Sequence, residues 1–143
     1  MNELALDQQL CFALYKASRA ATAVYRPLLA ELGITYPQYL VLLALWDQDG
    51  RYVNELSEQL ELDTGTLSPL LKRLEAQQLI DRRRSPEDER RVTVHLTPSG
   101  TALRTRARAI PRLLGSCTNL STDEMNDLRS TLDSLTARLH QSM

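Results

Sequence analysis

From the start of the chain to Leu32, apolar residues recur at Leu10, Leu14, Ala17, Ala21, Val24 and Leu28, in steps of three and four. That spacing predicts one long amphipathic helix over Asp7–Leu32. It should bend near Pro27, which removes a backbone hydrogen bond, and end at Gly33. Thr35-Tyr36-Pro37-Gln38 reads as a second start, a threonine cap with a glutamine three residues on. Behind it Tyr39–Trp46 is apolar nearly all round, so that helix should be buried. After a turn at Asp47–Gly50, Val53, Leu56 and Leu60 set a short helix on the core.

Leu62-Asp63-Thr64-Gly65 is a turn and cap into a further helix whose Leu67, Leu70, Leu71 and Leu74 face a core. Pro69 predicts a small kink in it. Two strands follow at Leu79–Arg84 and Val92–Leu96, the second alternating polar and apolar as a half-buried strand does. Helix, turn, helix and hairpin in that order predict a winged helix-turn-helix. Thr97-Pro98 then opens a helix with cap and proline in the favoured order. Its stripe is Leu103, Ala107, Ile110 and Leu114, bent at Pro111 and frayed over Gly115–Leu120. Ser121-Thr122-Asp123-Glu124 is a capping box ahead of Met125, Leu128, Leu132, Leu135 and Leu139.

The predicted class is therefore mainly α with a small β-wing, in a single domain. Residues 35–97 form the winged helix-turn-helix lobe, and residues 1–34 and 98–143 a helical dimerisation region drawn from both termini. Apolar stripes at both ends either pack on each other within one chain or join two chains. A two-fold dimer has its own attraction, since paired recognition helices read a palindromic operator.

Charge sharpens this picture. The outer face of the recognition helix carries Thr64, Thr66, Ser68, Lys72 and Arg73, the hydroxyls and cations that phosphate and base-edge contacts use. Arg82, Arg83, Arg84, Arg90 and Arg91 bracket the turn Ser85-Pro86-Glu87-Asp88-Glu89, and such a wing can straddle a backbone and enter the minor groove. A solvated helix face or hairpin is the plainer reading of either pattern alone. Net charge is −1, which argues against indiscriminate coating of nucleic acid. Yet between Arg90 and Thr122 there are six arginines and no carboxylate, so binding to double-stranded DNA would rest on a local patch and weaken steeply with salt.

At 143 residues, 43% hydrophobic and 24% charged, the chain can bury a real core. No apolar run approaches a membrane span, and MNELALDQQL has no basic region followed by an apolar stretch. No membrane association and a cytoplasmic location are expected. Cys11 and Cys117 stand apart from each other and from His95 and His140, a pattern that disfavours zinc. No metal or cofactor is expected, and in a reducing compartment both are free thiols.

Leu62–Glu75 (LDTGTLSPLLKRLE), Asp88-Glu89-Arg90-Arg91 and Leu96-Thr97-Pro98-Ser99-Gly100 resemble the MarR-type regulators. Gln9–Tyr15 (QLCFALY) and Leu32–Leu40 (LGITYPQYL) resemble their organic-hydroperoxide-sensing OhrR branch. The likeness covers roughly the first 110 residues and is weakest in the C-terminal third. It implies a dimeric repressor that leaves DNA when a thiol is oxidised by an organic hydroperoxide. It further implies Cys11 as the reactive cysteine, with Tyr25 and Tyr36 of the other subunit donating to its sulfur and Tyr15 nearby. Base reading falls to Thr64–Lys72, and Arg90, positioned by Asp88, enters the minor groove. The branch divides into one-cysteine and two-cysteine members, and Cys117 suggests the second type, with an intersubunit disulfide.

The chemistry fits these residue types. The thiolate is the attacking species, and a helix N-terminus with phenol donors favours it. The sulfenic acid formed condenses with a second thiol. Phe12, Leu14 and Leu40 are plausible lining for an alkyl chain. Without the resemblance, a leucine-flanked cysteine such as Cys11 is more often a core residue, Cys117 reads also as a packed thiol at a helix end, and the tyrosines as core residues with satisfied hydroxyls. Three alternatives stand beside the sensor: a repressor released by a small aromatic ligand, with Cys11 structural; a thiol peroxidase, which lacks a second catalytic group; and a helical adaptor, which leaves the arginine wing unexplained.

Overall fold

A computed structural model describes residues 2–143. Helix α1 (Leu10–Leu32), preceded by a 3-10 turn at Leu6–Gln8, starts three residues later than the apolar spacing alone suggests. Gln9, its first flanking residue, uses its side-chain amide on the carbonyls of Glu3 and Ala5 and offers the helix no cap. Gly33 closes α1 at φ 74°, a left-handed backbone open to glycine without a Cβ penalty.

Helix α2 (Tyr36–Asp47) turns off α1 at 73°. Its full capping box forms: Gln38 N donates to Thr35 Oγ1 while Thr35 N donates to Gln38 Oε1. As its composition predicts, α2 is the core helix, with Tyr39, Val41, Leu42, Ala44 and Leu45 buried. Strand β1 (Arg51–Tyr52), helix α3 (Val53–Leu60), helix α4 (Thr64–Ala76) and the hairpin β2 (Ile80–Arg84) and β3 (Val92–Leu96) follow. The sheet order is β1-β3-β2, antiparallel throughout. β1 is absent from the sequence reading, because two residues carry no periodicity.

Helix α5 (Pro98–Ala107) packs against α1, α2 and β3. Gly100 explains itself there: a Cβ would stand 2.1 Å from the Leu79 carbonyl oxygen, and the Trp46 indole donates to the Gly100 carbonyl at 2.9 Å. The single bent helix expected over Pro98–Leu114 is instead two, with α6 (Ala109–Thr118) separate. Pro111 has no N–H for the Ala107 carbonyl, so the ladder breaks there, and Pro111 sits in the first turn of α6 where no donor is needed. The fraying expected from Gly115 is also absent, since α6 continues to Thr118 and ends at left-handed Asn119, φ 57°. Pro27 and Pro69 both lie inside unbroken helices.

Compactness divides the chain after Arg108. The first unit holds α1–α5 and the sheet around one leucine-rich core. The second holds α6 and α7 (Thr122–Gln141), the latter opened by the predicted Ser121–Glu124 capping box. α7 leaves Leu128, Leu132 and Leu139 exposed at steps of four and seven. In the first unit Leu4, Leu6, Leu10 and Tyr15 are likewise exposed.

Candidate nucleic-acid interface and sensor residues

Recognition helix α4 begins at Asp63, whose Oδ1 accepts from the Thr66 amide at 2.7 Å. That bond holds the Asp63 carboxyl below its ordinary value. Leu67, Leu70, Leu71 and Leu74 are buried as predicted, while Thr64, Thr66, Lys72 and Arg73 are exposed and Ser68 is half-buried. The five polar residues form two edges. Thr64, Ser68 and Lys72, four apart, make one stripe, and Thr66 and Arg73, seven apart, another. Thr64 and Ser68 of the first stripe border a cleft of about 450 Å³ between α4 and the wing, lined also by Asn54, Arg90 and Arg91.

The wing arginines are not equivalent. Arg82 is tied to Glu75 on α4, by its Nη2 at 3.1 Å and its backbone amide at 3.1 Å. The same contacts hold the Glu75 carboxyl below its usual range. Arg82 therefore docks β2 on α4. Arg83 lies 3.9 Å from Asp81, and Arg84 is exposed. At the tip, Asp88 Oδ1 accepts from both the Arg90 amide at 3.0 Å and its Nε at 3.3 Å, leaving a guanidinium whose side chain is 90% exposed. Arg91 differs again: it lies over the Tyr52 ring at 3.5 Å and donates to Asn54 Oδ1 at 3.3 Å.

The residues expected to form a sensor are spread over α1, α2 and α6. Tyr25 and Tyr36 stack at 5.8 Å and 11°, and the row continues through Tyr39 to Trp46. Burial raises the Tyr25 phenol above its ordinary value and pushes that of Tyr39 up to about 12. Cys11 is the second residue of α1 and is exposed. Because α1 is continuous, Cys11 and Tyr25 stand roughly 21 Å apart along its axis at ~1.5 Å per residue. The predicted phenols are thus together, and the cysteine of the same chain is not with them. Tyr15, one turn beyond Cys11, is 59% exposed, with Arg19 5.3 Å over its ring. Cys117, in α6, is also exposed.

Two features escaped the sequence reading. Tyr52 needs the β1–β3 register to reach Arg91, and that register has no local signature. Buried Gln38 spans from the α1–α2 junction to the end of α4: its Nε2 donates to Gln77 Oε1 at 3.2 Å, and Gln77 Nε2 donates to the Gly33 carbonyl at 2.6 Å. A capping glutamine looks the same in sequence whether or not its amide has a second partner.

A family model described as the transcriptional regulator SarA/Rot matches residues 23–105. The organic hydroperoxide resistance transcriptional regulator of Bacillus subtilis is 47% identical over 98% of this chain and 95% of its own length. The chain belongs to this family of MarR-type winged-helix transcriptional regulators. Its similarity to the Bacillus protein agrees with the branch read from Gln9–Tyr15 and Leu32–Leu40, and its relatives are regulators rather than enzymes. Among solved structures, reduced AbfR bound to DNA is 34% identical with a TM-score of 0.81, covering 95% of this regulator and 93% of that chain. AbfR is a Staphylococcus epidermidis protein. The Streptomyces coelicolor PcaV regulator with its natural ligand is 25% identical with a TM-score of 0.85, covering 96% and 98%. Among the described residues no single helix is long and apolar enough to cross a membrane.

Proposed function

We propose that this regulator is a homodimeric DNA-binding repressor that senses organic hydroperoxides through Cys11 and releases a palindromic operator on oxidation. The observation that carries the reading is the span of α1. Tyr25 and Tyr36 form a stacked pair about four turns from Cys11 of their own chain, so a Cys11 sulfur that their hydroxyls support is one brought by a second copy. The exposed leucines of the N-terminal segment and of α7 are apolar surface suited to such a copy. They support residues 1–34 and 98–143 as the dimerisation region and 35–97 as the DNA-binding lobe. Thr64, Thr66, Ser68, Lys72 and Arg73 are the residues for the major groove. Arg84, Arg90 with Asp88, and Arg91 are those for the wing.

In the switch, the Cys11 thiolate attacks the distal peroxide oxygen. An S–O bond forms, the O–O bond breaks, the sulfur loses two electrons, and the alkoxide leaves as alcohol after taking a proton. The Cys11 sulfenic acid then condenses with the Cys117 thiol, with loss of water. Tyr15, a turn from Cys11, flanks the sulfur on its own chain. Displacement at Tyr36 passes to α4 through Gln38 and Gln77, the pair that joins the cap of α2 to the end of the recognition helix. The relation to the Bacillus regulator supports the choice of inducer.

Cys11→Ser tests the proposal: operator affinity should match the parent, and an alkyl hydroperoxide should no longer release the complex. Release of that variant at the parent's peroxide dose contradicts it. A second reading, induction by a small aromatic ligand, is favoured by a cavity of about 480 Å³ beside Arg26, Tyr36 and Ile34. Release of Cys11→Ser by an aromatic carboxylate in the absence of oxidant would select it.

A further inference from the structure

Tyr52 takes no part in the sensor, yet four observations converge on it. Its ring carries the Arg91 guanidinium at 3.5 Å. Its hydroxyl lies 3.4 Å from the Ser85 hydroxyl, and Ser85 is buried at the foot of the wing. The Ser85 amide in turn donates to the Arg91 carbonyl at 2.8 Å, closing the loop. Finally Tyr52 pairs with Thr93 in the β1–β3 ladder, two residues beyond Arg91. The ring of Tyr52 thus holds the side chain of a single arginine whose backbone is held by the Ser85 amide, the 3.4 Å hydroxyl contact adding little, and Asn54 Oδ1 accepts from the guanidinium.

That arginine lines the cleft together with Thr64 and Ser68 of α4. Arg90 borders the same cleft, but its side chain is 90% exposed at the tip on Asp88, whereas Arg91 is held by Tyr52 and Asn54. A duplex read by α4 in its major groove and by the wing tip in the adjacent minor groove must carry a phosphodiester strand between them, across this cleft. We propose that Tyr52 is a positioning residue that holds Arg91 ready for a backbone phosphate of that strand. Arg91 on this view supplies affinity without sequence preference, and Arg90 supplies the groove contact. The ring lowers the cost of ordering a long side chain and leaves its charge available. The proposal rests on the winged-helix reading of DNA binding and extends it to a division of labour between neighbouring arginines.

The test titrates the full-length reduced protein against its operator duplex and a scrambled duplex of the same length, by fluorescence anisotropy over a salt series. Arg91→Ala should weaken both duplexes by the same factor and lower the salt slope by roughly 1. Tyr52→Leu should weaken both by roughly threefold to tenfold, Tyr52→Phe should stay close to the parent, and Tyr52→Leu should add nothing once Arg91 is alanine. Arg91→Lys keeps the charge without the planar stack, and in the Tyr52 parent should itself weaken both duplexes by the same factor, a readout that does not need Tyr52→Leu to fold. Equal losses from Tyr52→Leu in both backgrounds would overturn positioning, as would an unchanged affinity for Tyr52→Leu. Loss on the operator alone would make Arg91 a base reader. Parental binding by both Arg90→Ala and Arg91→Ala would instead remove the winged-helix reading beneath the proposal.

Discussion

The DNA-reading lobe and the α1–α2 junction both hold polar side chains in fixed places, but the lobe is assembled within one chain, whereas the proposed sensor draws on two. In the lobe three wing arginines have partners within the same chain: Asp88 for Arg90, Glu75 for Arg82, Tyr52 for Arg91. At the junction Tyr25 and Tyr36 stack on each other, while Cys11 of the same chain lies at the opposite, N-terminal end of α1. A reader preassembled by local contacts can keep its shape through the switch. A sensor split between copies is sensitive to how those copies stand, which is the property a spacing-dependent repressor needs.

The comparison can be broken at either region. The largest effect is expected at the sensor: Cys117→Ser should abolish the peroxide-induced covalent dimer on non-reducing gels. A covalent dimer of undiminished yield would exclude Cys117 as the resolving thiol. In the reader, Arg90→Ala should weaken operator binding by roughly 1 to 3 kcal/mol and relax preference at the contacted position, measured by competition titration. Equal loss on all sequences would place Arg90 on the backbone. The smallest effect lies in the aromatic row. The Tyr39 phenol, raised by burial from 10.0 to about 12, favours the folded state fully below pH 10, and this contribution is lost as pH rises through 12. Denaturant titrations of the parent should therefore lose stability over that window, and Tyr39→Phe should lose less.

How far sequence reaches also differs between the two regions. Leucine spacing at Leu67, Leu70, Leu71 and Leu74, the Thr35–Gln38 and Ser121–Glu124 capping boxes and the alternation of Val92–Leu96 are local patterns, and the structure follows them. At Pro111 the sequence predicts a bend and the structure has a break, because the cost of a proline depends on whether tertiary packing holds the helix together across it. Which arginine is free, which is docked and which is stacked depends on register between β1, β2 and β3, and no single segment encodes that. The resemblance drew attention to Tyr25 and Tyr36, but their stacking follows from the 73° turn between α1 and α2. Glu75 and Gln77 were legible only as a polar helix end; their roles come from the strand and loop that fold back onto it.

The central claim is that phenols of one chain support the sulfur of another. It is tested most directly in a heterodimer of a Cys11→Ser chain and a Tyr25→Phe, Tyr36→Phe chain. The rate of sulfenic acid formation at the one remaining Cys11 is followed by a dimedone trap and mass spectrometry. Support from the other chain requires that this cysteine react as fast as in the parent, although its own chain lacks both hydroxyls, and far faster than in the Tyr25→Phe, Tyr36→Phe homodimer. A heterodimer as slow as that homodimer would contradict the account.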